Sequence, residues 1–392
     1  MDRILTTHVG SLLRPPELMA MLATVERGEP YDAAAYQRLV DEAVTAVVRR
    51  QAEVGVDIVD DGEMSKVGWI AYLYGRVSGI EARVVRAGAK VYPAGVDPEA
   101  NSGLENLYVD YRVAEGDASG EATTWVCTGP ITYDTTGVDR DIANLRSALD
   151  GVNTVDAFIP ALAPGSIYWI RNEHYGTEEE FLFAFADACH EEYKRIVDAG
   201  FLVSVDDAVL WHKHATVRLT GGTVDDYRAW AQLRVDALNH ALRGIPPERV
   251  RYHICSGSGH TSHVHDAGLA DIIEFVLQVN AHALLIEQGN ARHEHEWRIW
   301  EDVKLPDDKI VVPGVVTHQT EMVEHPELVA QRLTRLAKLV GRERVMAGTD
   351  CGFAQEASTR RVPVWTQWAK LEALAEGARL ASERLWSAPS AR

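Results

Sequence analysis

The chain alternates between short runs of β-branched residues and longer amphipathic segments along most of its 392 residues. Runs of this kind that end at glycine, aspartate or proline predict β-strands. Eight of them can be counted, at residues 3–9, 56–60, 124–128, 201–205, 250–255, 283–287, 310–315 and 344–348. Strands that alternate with helices imply parallel pairing with helical crossovers. Eight such units fit a closed (β/α)8 TIM barrel better than an open sheet.

The amphipathic segments between the strands carry recognisable helix ends. Thr177 is followed three residues later by Glu180, which is the pattern of a capping box. Other segments finish at a glycine, a residue that commonly follows the last turn of a helix. The predicted helices cover residues 32–54, 177–199, 223–242 and 326–340.

We expect one catalytic barrel over residues 1–386 and a frayed tail over 387–392. The stretch 64–121 is long, has little helical period and is rich in tyrosine and tryptophan. Long loops in compact domains are usually functional or disordered, and the aromatic residues favour an ordered lid inserted after strand two. A further strand-like stretch, 155–170, is interrupted by Pro160, so the sequence favours a second insertion there, after strand three.

Charge and cysteine content narrow the classes of function. The 39 basic and 58 acidic residues give a net charge of -19, which disfavours a nucleic-acid partner. Four separated cysteines are too few to staple a secreted scaffold. The N-terminus lacks the pattern of a signal peptide, and no apolar run is long enough to cross a bilayer. We therefore expect a cytoplasmic, soluble protein without a membrane partner, which could form a homo-oligomer.

Residues at the strand ends point to a metal site, because the active site of such barrels forms at the C-terminal ends of the strands. His253 and Cys255 lie two positions apart on one strand and therefore face the same side. Glu287 and Cys351 end two other predicted strands. An imidazole, two thiolates and a carboxylate form a zinc-type ligand set. A lone His-x-Cys pair is more often a packing feature, but the two further residues favour Zn2+.

Two other histidine-rich stretches could also bind a metal. Residues 259–265 contain three histidines, and residues 293–297 contain two histidines and two glutamates. A solvated polar loop and a charged helix start are the simpler interpretations of these stretches. Cys127 and Cys189 are most simply small buried apolar groups.

The motifs, in their order along the chain, resemble the catalytic C-terminal barrel of the cobalamin-independent methionine synthase family. They are Thr6-Thr-His-Val-Gly-Ser11, Asp61-Gly-Glu63, Cys127-Thr-Gly-Pro130, Val205-Asp206, His253-Ile-Cys255, Ile286-Glu287, Pro313-Gly-Val315 and Thr349-Asp-Cys-Gly352. The resemblance implies zinc on His253, Cys255, Glu287 and Cys351. It also implies that Ser11, Glu63 and Asp206 hold the polar end of a thiol substrate of the homocysteine type.

Some features depart from that family. The full synthases carry a second, N-terminal barrel for folate, which 392 residues do not accommodate, so folate is not assured as the methyl donor. The family's proton-donor histidine aligns with Gln319, whereas His318 lies one place earlier. His318 is therefore our candidate for that catalytic role.

The sequence thus predicts a zinc-dependent transferase that activates a small thiol for methyl or alkyl transfer. An alternative is an epoxyalkane–coenzyme M transferase, which the chain also resembles and which adds a thiol to an epoxide with the same zinc site. The sulfonate of coenzyme M would need a cation, for which Arg14, Arg292 and Arg360 are candidates. A remote alternative is a metal-free barrel resembling uroporphyrinogen decarboxylase, in which the ligand residues would be coincidental.

Overall fold

The computed structural model describes residues 2–86, 90–91, 112–113, 121–219, 221–258, 263, 266–355 and 361–387. Its strands are β1 (Ile58–Asp60), β2 (Ile80–Arg86), β3 (Lys90–Val91), β4 (Arg112–Val113), β5 (Glu121–Cys127), β6 (Asp156–Leu162), β7 (Arg171–Asn172), β8 (Leu202–Asp207), β9 (Val250–Ile254), β10 (Ala283–Ile286), β11 (Ile310–Val316) and β12 (Gly348–Thr349). Its α-helices are α1 (Pro16–Glu26), α2 (Ala33–Glu53), α3 (Ala71–Tyr74), α4 (Thr136–Ala148), α5 (Glu178–Asp198), α6 (Val209–Leu219), α7 (Val224–Ala241), α8 (Leu269–Val276), α9 (Ile299–Asp302), α10 (Pro326–Val340) and α11 (Val364–Trp386).

Seven parallel strands form the central sheet, in the order β1-β6-β8-β9-β10-β11-β12. The sheet curls, and the chain near Thr6 hydrogen-bonds to both of its edges. Thr7 N donates to Ala347 O on one side, at 2.9 Å, and Ile58 N donates to Thr6 O on the other, at 3.1 Å. The predicted first strand is therefore present only as a bridge at Thr6. The α/β architecture and its parallel strands were predicted correctly.

The strand that follows β1 in this sheet is β6, and the assignment of residues 124–128 to the barrel was wrong. Those residues belong largely to β5, which pairs antiparallel with β2 and parallel with β7 in a separate three-stranded sheet. The prediction failed because a β-branched run has the same composition in either sheet. Residues 155–170, predicted as an insertion, contain β6 itself.

Pro160 lies inside β6 without a loss of hydrogen bonding, for a reason that the sequence does not show. The pairing of β6 with β1 ends at Phe158. Beyond that point, main-chain groups of β6 bond to side chains: Pro160 O accepts from Lys66 Nζ at 2.6 Å, and Leu162 N donates to Tyr72 Oη at 3.1 Å. A proline is tolerated where a strand has lost its neighbour on one side.

The helix predictions are confirmed. Asp32 caps α2 by accepting from two main-chain amides, and Thr177 and Glu180 form the capping box of α5. Thr223 caps α7 in the same way. The predicted segment 326–340 is α10.

The segment 64–121 is described only in part. It contributes α3, β2 and the short pair β3 and β4, and it supplies Trp69, whose ring meets that of Trp169 edge-on at 5.9 Å. Tyr72 is buried and donates to Glu192 of α5 at 3.1 Å, so the start of the segment packs onto the barrel. The tyrosines at 92, 108 and 111 lie outside the described residues, as do residues 388–392 of the predicted tail. Across the described residues, no helix combines the length and the apolar character needed to span a membrane.

Candidate active site

Three of the four predicted metal ligands converge. His253 is on β9, Cys255 follows it directly, and Cys351 follows β12. One ligand atom from each of the three lies within 4.8 Å of the others, and all three residues are buried. Among the described residues this is the one group of histidine, cysteine, aspartate and glutamate side chains that meets this spacing. Such a convergence is not expected from the metal-free alternative, in which these residues were coincidental.

The imidazole of His253 is oriented by Asp206, its register partner on β8. His253 Nδ1 donates to Asp206 Oδ1 at 3.0 Å, while Nε2 is 3.0 Å from Asp350 O. Burial opposes the positive charge of His253, but Asp206 and the Cys351 thiolate outweigh it and raise the pKa to about 9. Histidines that bind metals are commonly held by a carboxylate in this way. Asp206, predicted to contact substrate, thus contacts a predicted metal ligand.

The two cysteines interact directly. A hydrogen bond from Cys255 lowers the pKa of the Cys351 thiol well below its usual value, whereas the same bond and burial raise the pKa of Cys255. The pKa values of the two thiols are therefore shifted in opposite directions by their contact. Two soft, buried sulfur donors beside an oriented imidazole fit Zn2+ by the chemistry of the donors. Cys127 and Cys189 are free and buried, as expected.

Glu287 lies beside this group but outside the 4.8 Å spacing. Its Oε2 accepts from Ser256 N at 2.8 Å and from Ser256 Oγ at 3.0 Å, and its Oε1 accepts from Asn290 Nδ2 at 2.7 Å. Burial, followed by the charge of Asp350, raises the pKa of Glu287 to about 8. Its carboxylate is thus held by three hydrogen bonds next to the cysteines. The role of Glu287 as a fourth ligand stays a prediction.

Ser11 lies against the loop that carries Cys351. Its carbonyl accepts from Phe353 N at 2.8 Å, and its hydroxyl accepts from Ala354 N at 3.4 Å. Gly352 passes so close that a Cβ atom there would collide with Ser11 Oγ. The glycine of the Asp-Cys-Gly motif is therefore needed for close approach, and Ser11 is next to the predicted metal site.

Glu63 is buried in an uncommon backbone conformation, with φ of 56°. Arg14, itself buried, donates to Glu63 O at 2.8 Å and to Ala354 O at 3.0 Å, which ties this turn to the loop after Cys351. Oε2 of Glu63 has no hydrogen-bond partner among the described residues. Burial raises the pKa of Glu63 to about 7, against the opposing charge of Lys66. Residues that hold the left-handed backbone conformation and carry a buried polar atom without a hydrogen bond are concentrated at functional sites.

His318 is fully buried, and neither of its ring nitrogens has a hydrogen-bond partner among the described residues. Val316 of β11 pairs with Thr349 of β12. His318 and Cys351 each follow these paired residues by two positions, so they lie next to each other at the ends of neighbouring strands. Burial lowers the pKa of His318 to about 4, so the resting imidazole is neutral. The structure therefore places the predicted proton donor next to a predicted ligand.

Sequence reasoning missed three residues at this mouth. Asp350 Oδ1 accepts from Gln288 N at 2.9 Å and from Gly289 N at 2.6 Å, which fixes the loop after β10. Lys66 is buried beside Glu63, and Gln355 Nε2 is 3.5 Å from Cys351 Sγ. The position of Asp350 next to Cys351 was a signal in the sequence. Lys66 and Gln355 lie in loops, where the sequence has no periodicity that could indicate which way a side chain points.

The other histidine-rich stretches do not add a second metal group to the described part of the chain. Most of residues 259–265 are not described. His263 Nδ1 is 2.7 Å from Asp266 Oδ2, and His293 Nε2 is 3.0 Å from the same oxygen. His293 Nδ1 also bonds to Glu296 at 3.1 Å. These contacts are ion pairs, in agreement with the simpler interpretation of the 293–297 stretch.

The family of the chain follows from its match to a protein-family model. The model is described as the catalytic domain of the cobalamin-independent synthase, and it matches residues 4–171 and 166–368. The chain belongs to this family. The resemblance that the sequence motifs indicated is thereby confirmed.

Individual relatives of the family are distant. The methionine synthase of Sulfolobus acidocaldarius is 23% identical over 352 residues, which cover 89% of this chain and 85% of that protein. The methionine synthase of Saccharolobus solfataricus is 23% identical over 389 residues, which cover 97% of this chain and 95% of that protein. A solved B12-independent methionine synthase from Shewanella sp. W3-18-1 superposes with a TM-score of 0.71 at 18% identity, covering 98% of this chain and 100% of that one. The last comparison shows a shared fold.

Proposed function

We propose that the protein is a zinc-dependent transferase that methylates or alkylates a small thiol, with an acceptor of the homocysteine type. The convergence of His253, Cys255 and Cys351 at the C-terminal ends of parallel strands carries this proposal. Membership of the cobalamin-independent synthase family supports it, as does the name of the Sulfolobus relative. The family model and the relatives described above do not favour the epoxide-opening alternative, so we do not propose it.

His253, Cys255 and Cys351 would hold the ion, and Glu287 would be a fourth ligand, the one that yields to a substrate thiol. Bound zinc would lower the pKa of that thiol, so that its sulfur would be nucleophilic at neutral pH. Glu287 is suited to exchange because Ser256 and Asn290 already bond its oxygens. A hard carboxylate is also a weaker partner for zinc than a thiolate.

Ser11, Glu63 and Asp206 are proposed to hold the polar end of the thiol. Glu63 supports this role because its Oε2 is buried and unpartnered within the described structure. A carboxylate in that position is satisfied by the ammonium group of an amino acid. Asp206 would serve two purposes, since it also orients His253.

His318 is proposed to move the proton from the thiol to the leaving group. Its position beside the end of β12 supports this role. The resting imidazole is neutral, so it can accept the thiol proton first and then donate it as the carbon leaves its donor. Burial of the ring keeps competing water away from this transfer.

Metal analysis of the purified protein tests the proposal. We expect about one equivalent of zinc in the wild type and its loss in Cys351→Ser. Cys127→Ser is the matched control, because Cys127 is a free, buried cysteine whose Sγ faces Gly129 O. Less than about half an equivalent in the wild type, or full zinc in Cys351→Ser, would contradict the proposal. Methylated homocysteine in a mass spectrum would then test the transfer itself.

A further inference from the structure

Arg361 lies at the mouth of the barrel, where one side chain, that of Gln355, connects it to the predicted metal ligand Cys351. Its Nε donates to Gln355 Oε1 at 2.8 Å. Gln355 in turn directs Nε2 toward Cys351 Sγ, at 3.5 Å, and toward Ser258 Oγ, at 3.3 Å. The main chain of Gln355 is held as well, since its carbonyl accepts from Trp69 N at 2.9 Å. A chain of two contacts therefore joins the guanidinium group to the sulfur of Cys351.

The contact with Gln355 uses one edge of the guanidinium group and leaves the other available. Within the described residues, neither terminal nitrogen of Arg361 forms a hydrogen bond or an ion pair. The side chain is partly exposed. Other arginines near the barrel are used differently: Arg14 is bound to two carbonyls, and Arg76 is paired with Asp141 and Glu192.

Arg361 also differs from the three arginines that the sequence suggested as binders of a substrate anion. Arg14 is buried and donates both terminal nitrogens to main-chain carbonyls, so it cannot receive a substrate anion without giving up those bonds. Arg292 has other contacts, and Arg360 is not described. In the described part of the chain, Arg361 is connected to Cys351 through Gln355 alone, and a guanidinium group is a planar fork of donors that can bind carboxylate or sulfonate groups through two parallel hydrogen bonds.

We propose that Arg361 binds a carboxylate or sulfonate group of a substrate at the metal site. The inference rests on the proposed function and extends it, because it divides the mouth into two recognition regions. Glu63 and Asp206 offer carboxylates to a cationic group. Arg361 offers a cation to an acidic group, which can belong either to the thiol or to the alkyl donor.

The first arm of the test measures thiol binding to the cobalt-substituted protein by its thiolate-to-metal absorption. The probes are 3-mercaptopropionate and 3-mercaptopropan-1-ol, which differ in one acidic group. If the acid belongs to the thiol, Arg361→Gln weakens only 3-mercaptopropionate, by at least about tenfold, and Arg361→Lys restores part of the loss. Arg379→Gln is the control, because Arg379 is exposed on α11 and paired with Glu376.

The second arm places the acid on the electrophile. Bound homocysteine is alkylated with iodoacetate or with iodoacetamide, so that a sulfur–carbon bond forms, the carbon–iodine bond breaks, iodide leaves and the thiol proton is released. The product is measured by mass spectrometry against free homocysteine. If the acid belongs to the donor, the wild type favours iodoacetate by about tenfold over the solution ratio, and Arg361→Gln loses this preference.

The two arms separate this inference from the proposal on which it rests. If Arg361→Gln changes neither the thiol preference nor the electrophile preference while thiols still perturb the cobalt spectrum, Arg361 is not an anion-binding residue and the proposed function stands. If no thiol perturbs the spectrum of the wild-type protein, the proposed function fails, and this inference fails with it. A loss that affects charged and neutral thiols equally indicates a structural effect and also overturns the assignment.

Discussion

At the scale of single residues, the predictions were best where strand geometry dictates direction. His253 and Cys255 were expected on one face because side chains alternate along a strand, and they do converge. Cys351 follows a strand end in the same way. Lys66 and Gln355 could not be found, because the direction of a loop side chain depends on contacts that form only in the folded protein. Asp206 was placed correctly at the mouth, but its bond to His253 depends on the register between β8 and β9.

The bond between Asp206 and His253 predicts how tightly the metal is held. Asp206→Asn keeps the shape of the side chain but removes the charge that stabilises Nδ1–H of His253. We expect zinc affinity to fall by about 10- to 100-fold, measured by competition with a chromophoric chelator.

Asp207→Asn is the matched control for this change. Asp207 is a buried neighbour whose oxygens accept from Leu210 N, at 3.1 Å, and from Tyr252 Oη, at 2.9 Å. Within the described structure Asp207 has no hydrogen bond to a predicted ligand, so its substitution should lower stability and leave zinc affinity nearly unchanged. Equal zinc affinities for Asp206→Asn and the wild type would show that this carboxylate does not support His253.

At the scale of elements, helices were predicted more accurately than strands. A helix is identified by its own period and by caps within a few residues, so α2, α5, α7 and α10 could be located from local sequence. A strand is completed by partners that are distant in sequence. For that reason β5 was assigned to the wrong sheet and β6, which contains Pro160, was not recognised.

The capping box of α5 predicts a measurable contribution to stability. Thr177 Oγ1 accepts from Glu180 N at 3.1 Å, and Glu180 Oε2 accepts from Thr177 N at 3.1 Å. Thr177→Ala removes the first bond, and we expect it to lower the free energy of unfolding by about 1 kcal/mol, measured by urea denaturation. Thr177→Ser retains a hydroxyl and should lose much less. If the alanine and serine variants were equally stable, the box would not contribute to the folded state.

At the scale of the whole molecule, buried charged groups occur in a protein whose net charge is strongly negative. The chain carries a net charge of -19, and several carboxyl groups lie inside the barrel. Those near the mouth have pKa values raised by burial, such as Asp61, at about 6. Asp266 differs, because His263 and His293 outweigh its burial and lower its pKa to about 2. The ion pair between His293 and Asp266 therefore connects the segment after β10 to the loop after β9.

This ion-pair group predicts how stability depends on pH. Burial opposes the charge of His293, but Asp266 and Glu296 outweigh it and raise the pKa to about 9, above the unfolded value of about 6.5. A raised pKa of this kind gives stability that is complete below the unfolded pKa and is lost as the pH rises through the folded pKa. We therefore expect the free energy of unfolding to fall by roughly 1 kcal/mol between about pH 6.5 and pH 8.

The variant His293→Gln separates this contribution from the other titrating groups. Glutamine carries no charge, so the part of the pH slope that comes from His293 should disappear, while the part that comes from groups such as Glu63 remains. Urea denaturation of both proteins, each freed of metal by a chelator, gives the two slopes at the same pH values. The difference between the slopes isolates His293, because every other ionisable group is common to both chains. Parallel slopes would mean that His293 is not held as an imidazolium, and that the loop after β9 is fixed by uncharged contacts such as the bond from Trp211 Nε1 to Ala267 O.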